Sequence, residues 1–241
     1  MAMARVMRPM GLVIVLVLGF VPPLQAATPP APAVQAEIIY LDGVDSGVPK
    51  SRRMAPAVAA LATSLLEQQP GSQIDLFQAR SKPSRYVLLQ RLNGTSPSRL
   101  YGGSPQWRQT HRLNADPENP RVRAFILDST LLLGNPSLRV DPSAFVRIRH
   151  VDVVPLNTSL LPPLYVQLES QLKRFKGFQG IQVWTAEARP NHWTVIEVWT
   201  NQEASQRAEA DASVNRIWDA VNDKSGSPDN QQDYRLVQQL K

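Results

Sequence analysis

The chain has 241 residues, enough for one large domain or two small ones, and its 43% apolar content is that of a globular protein with a packed core. It contains no cysteine, which excludes disulfides, thiolate metal sites, cysteine nucleophiles and lipid attachment through a cysteine. The formal charge of +6 is spread over scattered groups (Lys50, Arg52 and Arg53; Arg108 and Arg112; Arg147 and Arg149; Lys173, Arg174 and Lys176). No dense basic block interleaved with aromatics occurs, so no nucleic acid is expected as a partner.

The first 26 residues read as a cleaved signal peptide. Arg5 and Arg8 make the positive start, Gly11 to Phe20 the apolar run, and Leu24-Gln25-Ala26 the small-residue cleavage site. The run is shorter than the roughly 20 residues that span a bilayer. Cleavage would leave a periplasmic or secreted protein with no stable membrane anchor, and without Arg5 and Arg8 the charge falls from +6 to about +4. Thr28 to Ala33 is a Pro- and Ala-rich exit.

Glu37 to Leu41 is then a strand, and Met54 to Gln68 has helical apolar spacing, with Pro56 near its first turn and Pro70-Gly71 as its stop. Ile74 to Phe77 and Tyr86 to Leu89 are strands around a turn at Lys82-Pro83-Ser84. Gly94 to Gly103 is rich in Ser, Gly and Pro, and a short helix is expected from Ser104 to Leu113. Val122 to Leu133 completes the first half as a strand. The second half reads as a strand at Phe145 to Val151, a strand through Ile181 and Val183, a Pro190-Asn191 turn and a strand from Trp193 to Trp199. A helix opening at Asn201 and carrying Val214, Ile217, Trp218 and Val221 follows, with a closing strand at Tyr234 to Leu240.

A shift of 107 residues superposes much of the first half on the second. Met54 falls on Leu161, Pro56 on Pro163, Leu61 on Leu168, Leu65 on Leu172, Ile74 on Ile181, Phe77 on Trp184, Ala79 on Ala186, Pro83 on Pro190 and Tyr86 on Trp193. Val44-Asp45 falls on Val151-Asp152. So long a period means duplicated domains rather than a solenoid. The expected division is a degenerate domain 1 at 37–133, a linker at 134–143 and domain 2 at 144–241, each α+β with the ferredoxin-like order βαββαβ.

A glycine-punctuated helix end, the strand Gly180 to Trp184, the strand Trp193 to Trp199 ending in V-W-T-N, and the following Glu203-Ala204 helix resemble the antibiotic biosynthesis monooxygenase (ABM) domains of the dimeric α/β-barrel superfamily. The resemblance covers Phe145 to Leu240, and Glu37 to Leu92 more weakly. It implies that domain 1 pairs with domain 2 as an intramolecular dimeric α/β-barrel, with further homo-oligomerisation open. A split-βαβ sheet has helices on one face only, and its other face needs a second sheet. Trp193, Val195 and Trp199 on one face of their strand and Ile196 and Val198 on the other fit that requirement.

The resemblance also implies a function: a cofactor-independent monooxygenase acting on a small aromatic or quinol, in a dry pocket with a group that deprotonates a phenol. The alternative is a non-catalytic module of the same fold that holds an apolar ligand or a partner. The pocket is expected between the second sheet and its helices. His150 is the candidate base, on the apolar face that Ile148 defines, and the 107 shift places Gly43 opposite it in domain 1. Trp199, Trp218, Glu197 and Ile148 are candidate substrate contacts; Arg147 or Arg149 is the expected ion-pair partner of Glu197. Haem-degrading relatives imply an asparagine on the first strand, a tryptophan ending the third and an axial histidine on the second helix. Here His150 holds the first place and Trp199 the second, while the helix has no histidine and Trp218 lies near its place, so haem is not expected. His192 in its turn and His111 on the short helix are expected to be solvated. Scattered histidines make no metal cluster, and neither a phosphate-cradling glycine loop nor a G-x-S-x-G elbow occurs.

Overall fold

The first strand, β1 (Gln35–Asp42), is buried from Ala36 to Ile39 and at Leu41, and it shares hydrogen bonds with strands on both sides. The computed structural model describes residues 34–42, 48–92, 125–227 and 230–241, with side chains in the first helix from Ala55 onward. The expected signal peptide, the helix expected at Ser104 to Leu113 and His111 therefore lie outside the described residues.

After β1 come α1 (Val48–Gln68), β2 (Gln73–Ala79), β3 (Arg85–Arg91) and β4 (Phe125–Gly134). The second half is β5 (Phe145–Asp152), a 3-10 turn (Pro155–Leu160), α2 (Leu161–Leu172), β6 (Phe178–Ala186), β7 (His192–Trp199), α3 (Gln202–Glu209), α4 (Ala212–Asn222) and β8 (Asn230–Leu240). Two expectations change here. The first helix begins at Val48, so Pro56 lies inside it rather than in its first turn. The helix expected from Asn201 is two helices, because Asp211 takes up an extended conformation and caps a new start through Ser213 and Val214 N–H.

The eight strands close into a barrel in the order β1-β3-β2-β8-β5-β7-β6-β4. Each half contributes four strands in the sheet order fourth-first-third-second, and every pairing is antiparallel. The closing pairs, β2 with β8 and β4 with β6, join the fourth strand of one half to the second of the other. The chain is a tandem duplication that forms its own dimeric barrel, and closure leaves no sheet edge exposed.

The register corrects the repeat at its first strand. The 107 shift holds for the β2–β3 pair, where Gln73↔Arg91 matches Gly180↔Val198. On the first strands, Asp42 facing Arg85 matches Asp152 facing His192, a shift of 110. On the last strands, Tyr40↔Phe125 matches His150↔Asn230, a shift of 105. Insertions fell in the loops, where length is tolerated. Tyr40, not Gly43, is thus the counterpart of His150.

Three cores result. Inward side chains of both halves, including Ile38, Phe77, Val87, Val146, Trp184, Ile196 and Leu236, fill the barrel. Ile39, Leu41, Leu61, Leu65 and Leu88 pack β1–β3 against α1. Tyr165, Leu168, Trp193, Val195, Trp199 and Trp218 pack the second sheet against α2 to α4. The stretch at 134–143 does more than link. Leu138 and Val140 are buried in the barrel core, Leu138 fits against Gly180, and Gly134, at φ +104, brings the chain onto the Ile181 carbonyl.

Candidate functional site

Alternation along β5 sends Val146, Ile148 and His150 into the barrel, and Arg147 and Arg149 outward. His150 therefore faces the inside of the barrel, not the helices. The space expected to hold a pocket, between the second sheet and its helices, is filled by aromatic side chains. Tyr165 stacks on Trp193 at 5.5 Å between ring centres and meets Trp218 edge-on at 6.2 Å, while Phe178 meets Trp199 at 5.1 Å.

Glu197, Trp199 and Trp218 belong to that filled core. Trp199 Nε1 donates to Glu197 Oε2 at 3.2 Å, Arg149 Nε lies 3.5 Å from Glu197 Oε1, and the Arg149 guanidinium sits 4.0 Å over the Trp218 ring. Arg149 is thus the ion-pair partner of Glu197. Arg147 instead meets Asp233 at 2.9 Å and Glu209 at 3.1 Å. Of the five residues singled out, only His150 and Ile148 share a cavity, and the other three lie across the sheet from it.

That cavity has a volume of about 190 Å³ and opens at one end of the barrel between the two halves. Tyr40, Phe125, Ile148, His150 and Tyr234 form its walls, and Asp42, Arg85, Asn230 and Gln232 its polar rim. Tyr40 and Phe125 come from the first half, so neither half builds the cavity alone. The Tyr40 hydroxyl shares a 2.9 Å hydrogen bond with Thr194, across the barrel on β7. His150 meets Tyr40 and Phe125 edge-on at 5.9 and 5.8 Å.

His192 is not solvated as expected. Its side chain is 15% exposed, with Nδ1 3.3 Å from His150 Nε2 and Nε2 3.8 Å from Asp152 Oδ1. His150 Nδ1 is buried and finds no hydrogen-bond partner among the described residues. Burial, reinforced by the neighbouring His192 charge and only partly offset by Asp152, lowers the His150 pKa to about 4. The ring is neutral at physiological pH. Burial likewise raises the phenols of Tyr40 and Tyr234 above their ordinary value. Burial opposes ionisation of Asp42, but hydrogen bonds and charges from Arg85 and Lys82, at 2.6 and 2.8 Å, outweigh it and hold the carboxyl low.

Among the described residues no group of three or more His, Asp or Glu converges as a metal site. The cavity can take a small ring, accept a hydrogen bond at the neutral His150 ring and present charge at Asp42 and Arg85. Tyr40, Phe125, Tyr234 and His192 are the site residues that sequence reasoning missed. The signal for Tyr40 was present: aligning the strand-ending Asp42 and Asp152, instead of the helices, sets Tyr40 opposite His150.

Residues 145–216 match the family model described as Antibiotic biosynthesis monooxygenase. Solved structures share the whole barrel at low identity. A candidate monooxygenase from Fusobacterium nucleatum has a TM-score of 0.63 at 11% identity, covering 88% of this chain and 96% of its own. A second, from Lactobacillus acidophilus, has a TM-score of 0.57 at 11% identity, covering 87% and 96%. An anthrone oxidase-like protein has a TM-score of 0.63 at 11% identity, covering 86% and 92%. These likenesses establish the fold. No curated protein matches the sequence.

Proposed function

We propose that this chain, which carries an antibiotic biosynthesis monooxygenase domain at 145–216 and closes it into a barrel with its own first half, binds a small single-ring phenol or quinol between the halves. The observation that carries this reading is a neutral, part-buried histidine in an aromatic-walled cavity. A cavity of roughly 150 Å³ holds one benzene ring. At about 190 Å³, this one has room for one ring with its hydroxyls inside the barrel, and its open end leaves a larger ligand reaching toward solvent. Tyr40, Phe125 and Tyr234 offer ring faces, and the neutral His150 imidazole accepts a hydrogen bond from a ligand hydroxyl.

A monooxygenase is the second step of the same reading, supported by the family match at 145–216. The neutral His150 imidazole accepts a hydrogen bond from the phenol, and the electron-rich phenolate that forms as oxygen is engaged is the form that hands electrons to oxygen in substrate-activated chemistry. The filled space on the helix side moves this chemistry into the barrel. The leader at 1–26 supports a site of action outside the cytoplasm.

Calorimetry on the mature chain, residues 27–241, with phenol, hydroquinone and 1-naphthol tests the binding. Saturable binding of the single-ring compounds, tighter than that of the naphthol, is expected. His150→Ala removes a hydrogen bond of about 1 kcal/mol, a roughly five-fold loss of affinity. Equal affinity in that variant, or no binding by the wild type, overturns the reading. Oxygen uptake with hydroquinone separates the two roles: turnover that His150→Ala abolishes means monooxygenase, and binding without turnover means a ligand-binding module.

A further inference from the structure

The two rings at 150 and 192 and the carboxylate at 152 stand in line, from the inside of the barrel to its surface. His150 lines the cavity, its Nε2 meets His192 Nδ1 at 3.3 Å, and His192 Nε2 faces Asp152 Oδ1 at 3.8 Å, one bridging water or a small side-chain adjustment from a hydrogen bond. The Asp152 side chain is 40% exposed and is held by Asn191 Nδ2 at 2.9 Å. We propose that His150, His192 and Asp152 form a proton relay that carries a proton between the barrel cavity and solvent.

One set of tautomers satisfies every contact. The carboxylate at Asp152 favours a proton on His192 Nε2, leaving His192 Nδ1 as an acceptor. His150 Nε2 then donates to it, and His150 Nδ1 keeps its lone pair, in accord with its having no partner among the described residues. A proton arriving at His150 Nδ1 releases the Nε2 proton to His192 Nδ1, and the His192 Nε2 proton passes to Asp152. One proton enters, one leaves, and no net charge stays in the barrel. Reverse flow or ring rotation restores the starting tautomers.

The duplication shows what this half has gained. The register counterparts of His150, His192 and Asp152 are Tyr40, Arg85 and Asp42. Arg85 and Asp42 form a 2.6 Å ion pair, and neither phenol nor guanidinium passes protons near neutral pH. The relay therefore exists once per barrel. The titratable groups around His150 are Tyr40 on β1, Tyr234 on β8, His192 on β7, Asp152 on its own strand, and Asp42 and Arg85 on the rim.

The relay rests on the proposed phenol site only for the source of its proton, so its test uses the ligand-free mature chain. The chain has three histidines, and long-range proton–nitrogen NMR on histidine-labelled protein resolves them. The expected tautomer is Nε2–H on both His150 and His192. Exchange of the His150 ring proton with water is expected to slow at least ten-fold in His192→Phe, and to slow also in Asp152→Asn. A Nδ1–H tautomer at His192, or unchanged exchange in the two variants, overturns the relay. Asp152 is a part-exposed residue, so Asp152→Asn keeps the test decisive if His192→Phe does not fold. Failure of phenol binding with slowed exchange in the variants would discard the ligand and keep the relay.

Discussion

His150 couples the cavity to the stability of the fold. A histidine whose folded pKa sits at about 4 instead of 6.5 takes up its proton first in the unfolded chain. Stability is therefore unaffected above about pH 6.5, falls as pH drops below it, and is fully reduced below about pH 4, by roughly 3 kcal/mol if the whole shift is realised. Urea denaturation of the wild type and of His150→Phe at pH 7 and pH 4 checks this. The variant is expected to lose less stability between the two pH values, and equal losses would place the acid sensitivity elsewhere. The Asp42 carboxyl, held low by Arg85 and Lys82, contributes stability that disappears only at lower pH, as it is protonated.

At the scale of elements, two local devices decide where the chain turns. Asn201 is extended and its side chain accepts from Ala204 N–H at 2.9 Å, starting α3 directly after β7. Asn201→Ala is expected to cost about 1 kcal/mol, read as a lower urea midpoint with an unchanged slope. Gly134, at φ +104, ends β4 where that strand pairs with β6 to close the barrel. A Cβ there would lie 2.0 Å from the Ile181 carbonyl oxygen. Gly134→Ala is expected to destabilise by more than about 2 kcal/mol, since neither backbone segment can yield without opening the closing pair. A thermal midpoint within about a degree of wild type would contradict that account.

On the scale of the whole molecule, each half is incomplete. The inward face of the second sheet carries Val146, Ile148, Trp184, Ile196 and Val198, all of which are covered by the first half. Expressed alone, residues 144–241 are expected to pair with a second copy, β8 of one against β6 of the other, because an uncovered apolar face of this size is not stable in water. Sedimentation should report a dimer, and a well-folded monomer would refute the argument. The homodimer would hold His150 at both first-strand places and lack Tyr40, so the mixed Tyr40–His150 cavity requires the duplication.

How much of this was legible in one sequence follows from the range of each interaction. Strand alternation, the Pro190-Asn191 turn, the helix periods and the duplication are local or periodic, and the sequence alone determined the four strands of each half, while the family resemblance implied their closure into a barrel. The break at Asp211 was carried by one capping side chain inside a helical pattern, and periodicity averaged it away. The site depended on which face of the sheet stays open. His150, Trp199, Trp218 and Glu197 all sit on strands or helices of one half with credible chemistry. Yet the aromatic side chains fill the helix side, while the cavity lies where two halves distant in sequence meet. A loop insertion that costs the chain little shifted the register of the first strand and hid Tyr40 behind Gly43. Only the tertiary structure could decide these matters, because packing volume and the register between strands are properties of contacts that no local pattern records.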